Sequence, residues 1–298
     1  MRGTIERLTR ASAERGWALV SVLWIVSMLA MLAAATQALT LTSYRTERRA
    51  EDSGRADADL DAAIVRAAAG IADPDLNKRW RVDGVAQSFA FDGSAMKVSV
   101  QDELGRIDLN VCDGSLLRQL LQAAGMQNDD AEALTDKILD WRSPSNLHRL
   151  HGATDADYAA RGYLYRQRHG PFQTVDELRL VMGMNDALFA RIRPALTVYT
   201  HRPMFDPTTA PREALLALYP GDPGQVDAIL AARAAHSALA SGDGPSYPAG
   251  IVSPSVPLAG RAFSVSAELV RKGHRFRRDA VVEMTGDGRQ PYFVLAWR

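Results

Sequence analysis

The sequence predicts an α+β protein built from a long N-terminal hydrophobic helix, an antiparallel β-sheet and a mainly α-helical block inserted between two groups of strands. Three observations carry this expectation. No proline occurs before Pro74, and Trp17 to Leu41 carries no charge. Period-two alternation, the mark of a half-buried strand, appears in two places far apart, around residues 89–100 and 263–297. Between them lie leucine-faced segments with cap residues, so helices separate the two groups of strands.

The first segment decides the class. Trp17–Leu41 is about as long as the ~20 apolar residues a helix needs to cross a bilayer core. A short polar leader with Arg2, Arg7, Arg10 and Arg15 precedes it. Three readings fit. One is a secretory signal cut near Ala33–Ala35 or Gln37–Ala38, although the apolar run exceeds the usual ~7–15 residues. Another is a plain signal anchor. The third is a pilin-type signal, cut on the cytoplasmic side after Arg15-Gly16, where a residue without a side chain lets a protease approach the backbone. Arg45, Arg48, Arg49 and Arg55 balance the leader's arginines, so charge does not orient the span; the pilin-type reading places the leader in the cytoplasm. Leu60, Ile64, Ala68 and Ile71 recur on one helical face, which predicts that the second half of the helix packs on the body. Gly54 is a candidate kink, and Pro74 stops the helix.

The remaining elements follow in order. Asp92-Gly93 between Phe89–Phe91 and Met96–Val100 predicts a hairpin. Asp102–Asn110 reads as a turn and a short extended piece. Leu116, Leu117, Leu120, Leu121 and Ala124 share a helical face closed by Gly125. Asp129 or Asp130 caps the next helix, with Leu134, Ile138, Leu139 and Trp141 inside. Thr174–Glu177 fits a capping box, Asn185 caps a helix through Ile192 to Pro194, and Thr209-Pro211 opens one carrying Leu215, Leu216 and Leu218. Ser237–Pro257 reads as a long loop rich in Ser, Gly and Pro. Phe263–Ala267, Ala280–Met284 and Tyr292–Trp297 are strands, the last two joined by Gly286-Asp287-Gly288.

Composition limits the function classes. Hydrophobic residues make up 47% and charged residues 23%, enough to bury a core. Thirty-five basic and 35 acidic side chains cancel, which removes any global electrostatic case for nucleic-acid binding. The single cysteine, Cys112, forms no internal disulfide and reads as a small buried apolar residue. Nucleophile-elbow, HExxH and P-loop patterns are absent, which argues against a membrane-anchored periplasmic enzyme. His148 and His151 stand three apart but read as loop residues. Leu178–Asn185 is like half of a helix–hairpin–helix nucleic-acid module, yet Asn185 stands where the second glycine belongs, so a packing hairpin is the better reading.

Taken together, several ordered motifs resemble one family, the minor pseudopilin K subunits of the bacterial type II secretion system. They are Gly16–Trp24, Asp102–Asn110, Ile138-Leu139-Asp140-Trp141, Phe172–Leu178 with Val181 and Gly183, and Thr209-Ala210-Pro211. The resemblance implies a pilin-like fold: a leader at 1–16, a long helix at 17–73 with its transmembrane part at about 17–41, a sheet from 80–107 and 258–298, and an inserted helical domain at 108–257. It implies cleavage by prepilin peptidase between Gly16 and Trp17, and N-methylation of Trp17. It further implies a non-enzymatic subunit, single-pass in the bacterial inner membrane with a periplasmic body. Such a subunit sits at the tip of the pseudopilus with I- and J-type minor pseudopilins, the major pseudopilin and the inner-membrane secretion platform as partners. Its role is to start filament assembly and support export of folded proteins. Pilin-like subunits usually carry a Glu at mature position five, which can neutralise a neighbour's N-terminal amine in lipid. Here that position is Ser21, as suits a subunit with none above it. Family members can bind calcium after the Asp-Trp motif, which makes Asp140, Asp155 and Asp157 candidate ligands. The intervening Arg142-Ser143-Pro144-Ser145-Asn146 has fewer carboxylates than the family pattern.

Overall fold

The computed structural model describes residues 3–75, 78–91, 94–145, 147–238 and 257–298. The expected Asp92-Gly93 turn, Asn146 and most of the expected 237–257 loop lie outside the described residues. The chain divides into two compact units, Met1–Ala58 and Asp59–Arg298.

Helix α1 (Gly3–Ile71) makes up the first unit and enters the second. In the first unit it is continuous α-helix through Gly54. Leu19–Gln37 is apolar and long enough to cross a membrane, and none of it is buried against protein. Trp17, Leu23, Trp24, Met28 and Met31 all face outward. Such an apolar surface is stable in lipid, where the helix satisfies its own backbone hydrogen bonds.

In the second unit, the last turns of α1 bury Leu60, Ala63, Ile64, Ala67, Ala68 and Ile71. The expected face is therefore the packed one. Asp59 pairs with Arg271 at 2.9 Å and Asp61 with Arg278 at 2.6 Å. These pairs tie α1 to strands of the main sheet. The helix ends at Ile71, and Gly70 lies against Trp80, where a Cβ would fall 2.3 Å from the indole.

The sheet contains β1 (Gln87–Phe91), β2 (Ser94–Asp102) and three strands from the C-terminal end. After β2, a 3-10 turn at Glu103–Gly105 leads to β3 (Ile107–Asp108). The helical block follows: α2 (Gly114–Ala123), α3 (Asn128–Arg142), α4 (Asp155–Ala160), a 3-10 turn at Val175–Leu180, α5 (Asp186–Ile192), β4 (Leu196–Thr197), α6 (Arg212–Leu218) and α7 (Pro223–Ala238). The chain then returns as β5 (Ala262–Arg271), β6 (His274–Met284) and β7 (Tyr292–Trp297). The strand order is β1-β2-β5-β6-β7, with every pairing antiparallel, so β2 and β5 are neighbours although the whole helical block separates them in sequence. Met96, Val98, Val100, Val265, Ala267, Leu269, Ala280 and Val282 alternate inward and are buried, as a half-buried sheet requires.

The helical block has its own core. Leu116, Leu117, Leu120 and Leu121 of α2 pack with Leu134, Ile138 and Trp141 of α3, Phe189 and Ile192 of α5, and Leu215 of α6. Each such side chain contributes roughly 1.5–3 kcal/mol of burial. Gly125 closes α2 at φ 94°, as expected of a left-handed C-terminal residue.

Several local expectations change. The cap of α3 is Gln127 rather than Asp129 or Asp130, which lie in its first turn where acids favour the helix dipole. Thr174 makes no side-chain cap, and the segment after it is a 3-10 turn. The Glu177 carboxylate accepts from the Gln173 N–H at 3.0 Å, one residue short of a capping box. The box that does form is Thr154–Asp157 at the start of α4. Ser237 and Ala238 belong to α7.

Candidate functional site

The four family-like motifs of the second unit converge at the junction of sheet and helical block. Asp102 ends β2 and is fully buried. Its Oδ1 accepts the Leu104 N–H at 2.9 Å and turns the chain, while Arg261 pairs with Oδ2. Burial pushes the Asp102 carboxyl above the usual carboxylate range, and Arg261 opposes that shift without overcoming it. Glu103 accepts from Arg106 at 2.6 Å and from the Ser264 hydroxyl. Gly105 touches the Thr209-Ala210 backbone so closely that a Cβ would lie 2.7 Å from the Thr209 carbonyl. The Asp206 N–H donates to Leu104 O at 2.6 Å, and Gln101 donates to Thr209 O at 2.7 Å. Turn motif and Thr209-Ala210-Pro211 motif therefore form one lock.

The second half of the turn motif reaches the other segments. Asp108 Oδ1 accepts the Asn110 N–H, and Oδ2 accepts the N–H groups of Thr200 at 3.0 Å and His201 at 2.8 Å. β3 pairs in parallel with β4 beside this contact. Asn110 makes two hydrogen bonds with the Phe172 backbone, at 2.7 and 3.0 Å. Trp141 Nε1 donates to Glu177 Oε1 at 3.0 Å, and its ring stacks on Phe172 at 6.4 Å. All of these acids are spent on backbone or ion-pair partners. The arrangement positions segments of chain. Leu178, Val181 and Met182 are buried and the Met182 N–H donates to the Tyr158 hydroxyl, so the apolar face of the helix–hairpin–helix-like stretch packs inward.

Cys112 is buried as expected. Arg142 donates to its carbonyl at 2.8 Å and approaches Sγ at 3.7 Å. Burial pushes the thiol up to about 11 from 9.0. Its folded value exceeds its unfolded one, so the stability it contributes is complete below about pH 9 and is lost as pH rises through about 11. At about pH 8 the native chain is expected to resist a disulfide reagent for as long as the urea-unfolded chain reacts fully; equal rates would show an open thiol.

The candidate calcium ligands take separate partners. Asp140, 2% exposed, accepts the Arg149 guanidinium at 2.6 Å and the Arg149 N–H at 3.1 Å. His148 Nδ1 stands 3.6 Å from it, so that histidine faces a carboxylate that sequence spacing alone left unplaced. Asp155 accepts the Gln167 N–H and faces His169 Nε2 at 3.2 Å. Asp157 accepts the Thr154 N–H and hydroxyl, both at 2.7 Å, which hold its carboxyl below the usual range. Gln167 Oε1 is a buried acceptor with no partner, but one neutral oxygen falls far short of the six to eight calcium takes. Among the described residues no group of three or more His, Cys, Asp or Glu is placed to hold a metal ion, so this donor set does not fit calcium.

In the first unit, Ser21 Oγ donates to Trp17 O at 2.7 Å, one turn back in its own helix. Gly16 and Trp17 lie within the same helix.

Comparison with known proteins agrees with this geometry. Residues 102–201 match the family model of type II secretion system (T2SS) protein K. That stretch opens on Asp102 and holds the contacts around Asp108, Asn110, Trp141 and Glu177. A type II secretion system protein K from Pseudomonas aeruginosa is 29% identical over 175 residues, 53% of this chain and 52% of that protein. The match therefore spans about half the length of that relative. The protein of the same description from Klebsiella pneumoniae is 28% identical over 249 residues, 74% of this chain and 76% of that protein. In fold, the chain is similar to a chain of the GspK-GspI-GspJ complex from enterotoxigenic Escherichia coli, with TM-score 0.58, 16% identity, and coverage of 86% of this chain and 98% of that one. The matched domain, the shared description of the relatives and the fold agree: residues 102–201 carry a type II secretion system protein K domain, and the chain as a whole is similar to proteins of that description.

Proposed function

We propose that this protein is a minor pseudopilin that caps the type II secretion pseudopilus, begins its assembly and supports export of folded proteins. The observation that carries the reading is the protein K domain, locked into an antiparallel sheet, in a chain that opens with an exposed apolar helix. On this reading, residues 1–16 are a cytoplasmic leader removed by prepilin peptidase. Trp17 becomes the N-methylated first residue, and the helix holds the subunit in the inner membrane with its body in the periplasm. Ser21 satisfies its hydroxyl within its own helix, so it makes no demand on a neighbour's amine. Small residues Ala30, Ala33, Ala34 and Ala35 allow close packing against partner helices in lipid. I- and J-type minor pseudopilins are the expected partners, as the related E. coli chain was solved with GspI and GspJ. The role asks for no catalysis.

Deleting the encoding gene is expected to abolish release of type II substrates, with the proteins trapped in the periplasm. The tagged full chain, extracted in mild detergent, is expected to co-purify with both minor partners in equal amounts. Undiminished secretion by the deletion strain, or a chain that purifies without either partner, would overturn the proposal.

A further inference from the structure

We propose that the loop joining α3 to α4 is closed by an internal cation, the Arg149 guanidinium, and that the helical block of this chain keeps its fold independently of calcium. The inference stands apart from the secretion role. It rests on what Asp140 does in this chain. That carboxylate is buried, and a buried anion needs a partner of opposite charge. Arg149 supplies a side-chain donor to Oδ1 and its own N–H to Oδ2. One residue thus neutralises the acid and fastens the backbone of the loop to the end of α3.

The rest of the loop is built to the same plan. A divalent ion would need further oxygens from the stretch after Trp141; among the described residues there, Ser143 and Ser145 bring hydroxyls, and each accepts a backbone N–H two residues on, at 3.2 and 3.1 Å. The far end of the loop presses on the acid directly: a Cβ on Gly152 would lie 1.8 Å from Asp140 Oδ2. An ion with ligands at ~2.3–2.6 Å has no room on that side. Asp136, one turn earlier on α3, accepts the His151 N–H at 3.1 Å and fixes the residue just before Gly152. Asp155 and Asp157 are committed to Gln167, His169 and Thr154. A guanidinium is charged at every pH in which the protein folds. Carried by the chain, it makes loop closure independent of ion concentration, whereas a bound ion stabilises only in proportion to its occupancy.

The test uses the full chain in detergent, with thermal unfolding followed by near-ultraviolet circular dichroism of Trp141 and the rings of Tyr158 and Tyr165, 5.8 and 6.4 Å from it. Between excess EDTA and about 5 mM calcium the midpoint is expected to move by less than ~1 °C. Arg149→Ala is expected to lower it by about 3–8 °C, a range reduced because the arginine is partly exposed. Asp140→Asn is expected to cost a similar amount, and the double variant less than the sum, since both remove one contact. A saturable rise of several degrees in the unmodified chain on adding calcium would overturn the proposal without any variant. So would single-variant losses that simply add.

Discussion

Replacing Gly16 by valine is expected to leave the chain uncut, with residues 1–16 attached and no methylated Trp17. A peptidase working at the edge of the membrane must bring its catalytic groups against the backbone at Gly16, and a β-branched side chain there blocks that approach. The consequence reaches past the cut itself. The retained leader carries Arg2, Arg7, Arg10 and Arg15, and moving such charges toward the bilayer centre costs about 2.5–3.5 kcal/mol for each arginine on insertion scales. The precursor should therefore stay in the membrane plane and fail to enter a filament. Secretion should fall to the level of the deletion strain. Intact mass and N-terminal peptide mapping of membrane-purified protein check this, with the unmodified chain starting at methylated Trp17. If the unmodified chain begins at Met1, or near Ala35–Ala38, pilin-type processing is wrong for this protein. If Gly16→Val is still cut at Trp17, the steric argument at Gly16 is wrong.

The second large effect is expected at Gly105. A methyl group there would lie 2.7 Å from the Thr209 carbonyl carbon and oxygen and 2.8 Å from the Ala210 nitrogen. All three are backbone atoms, and both backbones are held: Asp206 donates to Leu104, Gln101 to Thr209, and Asp102 fixes the turn itself. Neither side yields cheaply, so Gly105→Ala is expected to cost about 2–4 kcal/mol and lower the melting midpoint by roughly 5–15 °C. Gly288→Ala is the control, because a Cβ there meets nothing within 4 Å. A Gly105→Ala midpoint within ~1 °C of the unmodified protein would show that the junction slides freely and is no lock.

Much of the fold was legible because its signals are local. The face of Leu60, Ile64, Ala68 and Ile71 repeats with the helical period, and all four are buried. Alternation at Met96–Val100 and Phe263–Ala267 marked strands that pair directly, Val100 opposite Val265. Asn185 caps α5 at 2.9 Å, as its position before an apolar segment indicated. Where a short pattern occurred twice, the sequence alone chose wrongly. Thr174–Glu177 and Thr154–Asp157 carry the same capping signature, but only the second forms the box. Glu177 is drawn away by Trp141, 36 residues off, and by Arg168, nine residues off, both outside the four-residue signature. Asp157, a candidate metal ligand by resemblance, is the box's carboxylate, and its spacing from Thr154 is the signal for that role.

By itself, the sequence determined the elements and their order: an uncharged helical segment after an arginine-bearing stretch, strands at both ends of the body, and amphipathic helices between. Each depends on residues within one or two turns, and the hydrophobic effect reads those periods without reference to the rest of the chain. Only the tertiary structure decided what the buried acids do. Asp102 meets Arg261, Asp108 meets Thr200 and His201, and Asp140 turns from candidate calcium ligand to partner of Arg149. A carboxylate is equally suited to a metal ion, a guanidinium or a pair of backbone N–H groups. Which of these it receives depends on where folding places donors that lie up to 159 residues away, as Arg261 does from Asp102.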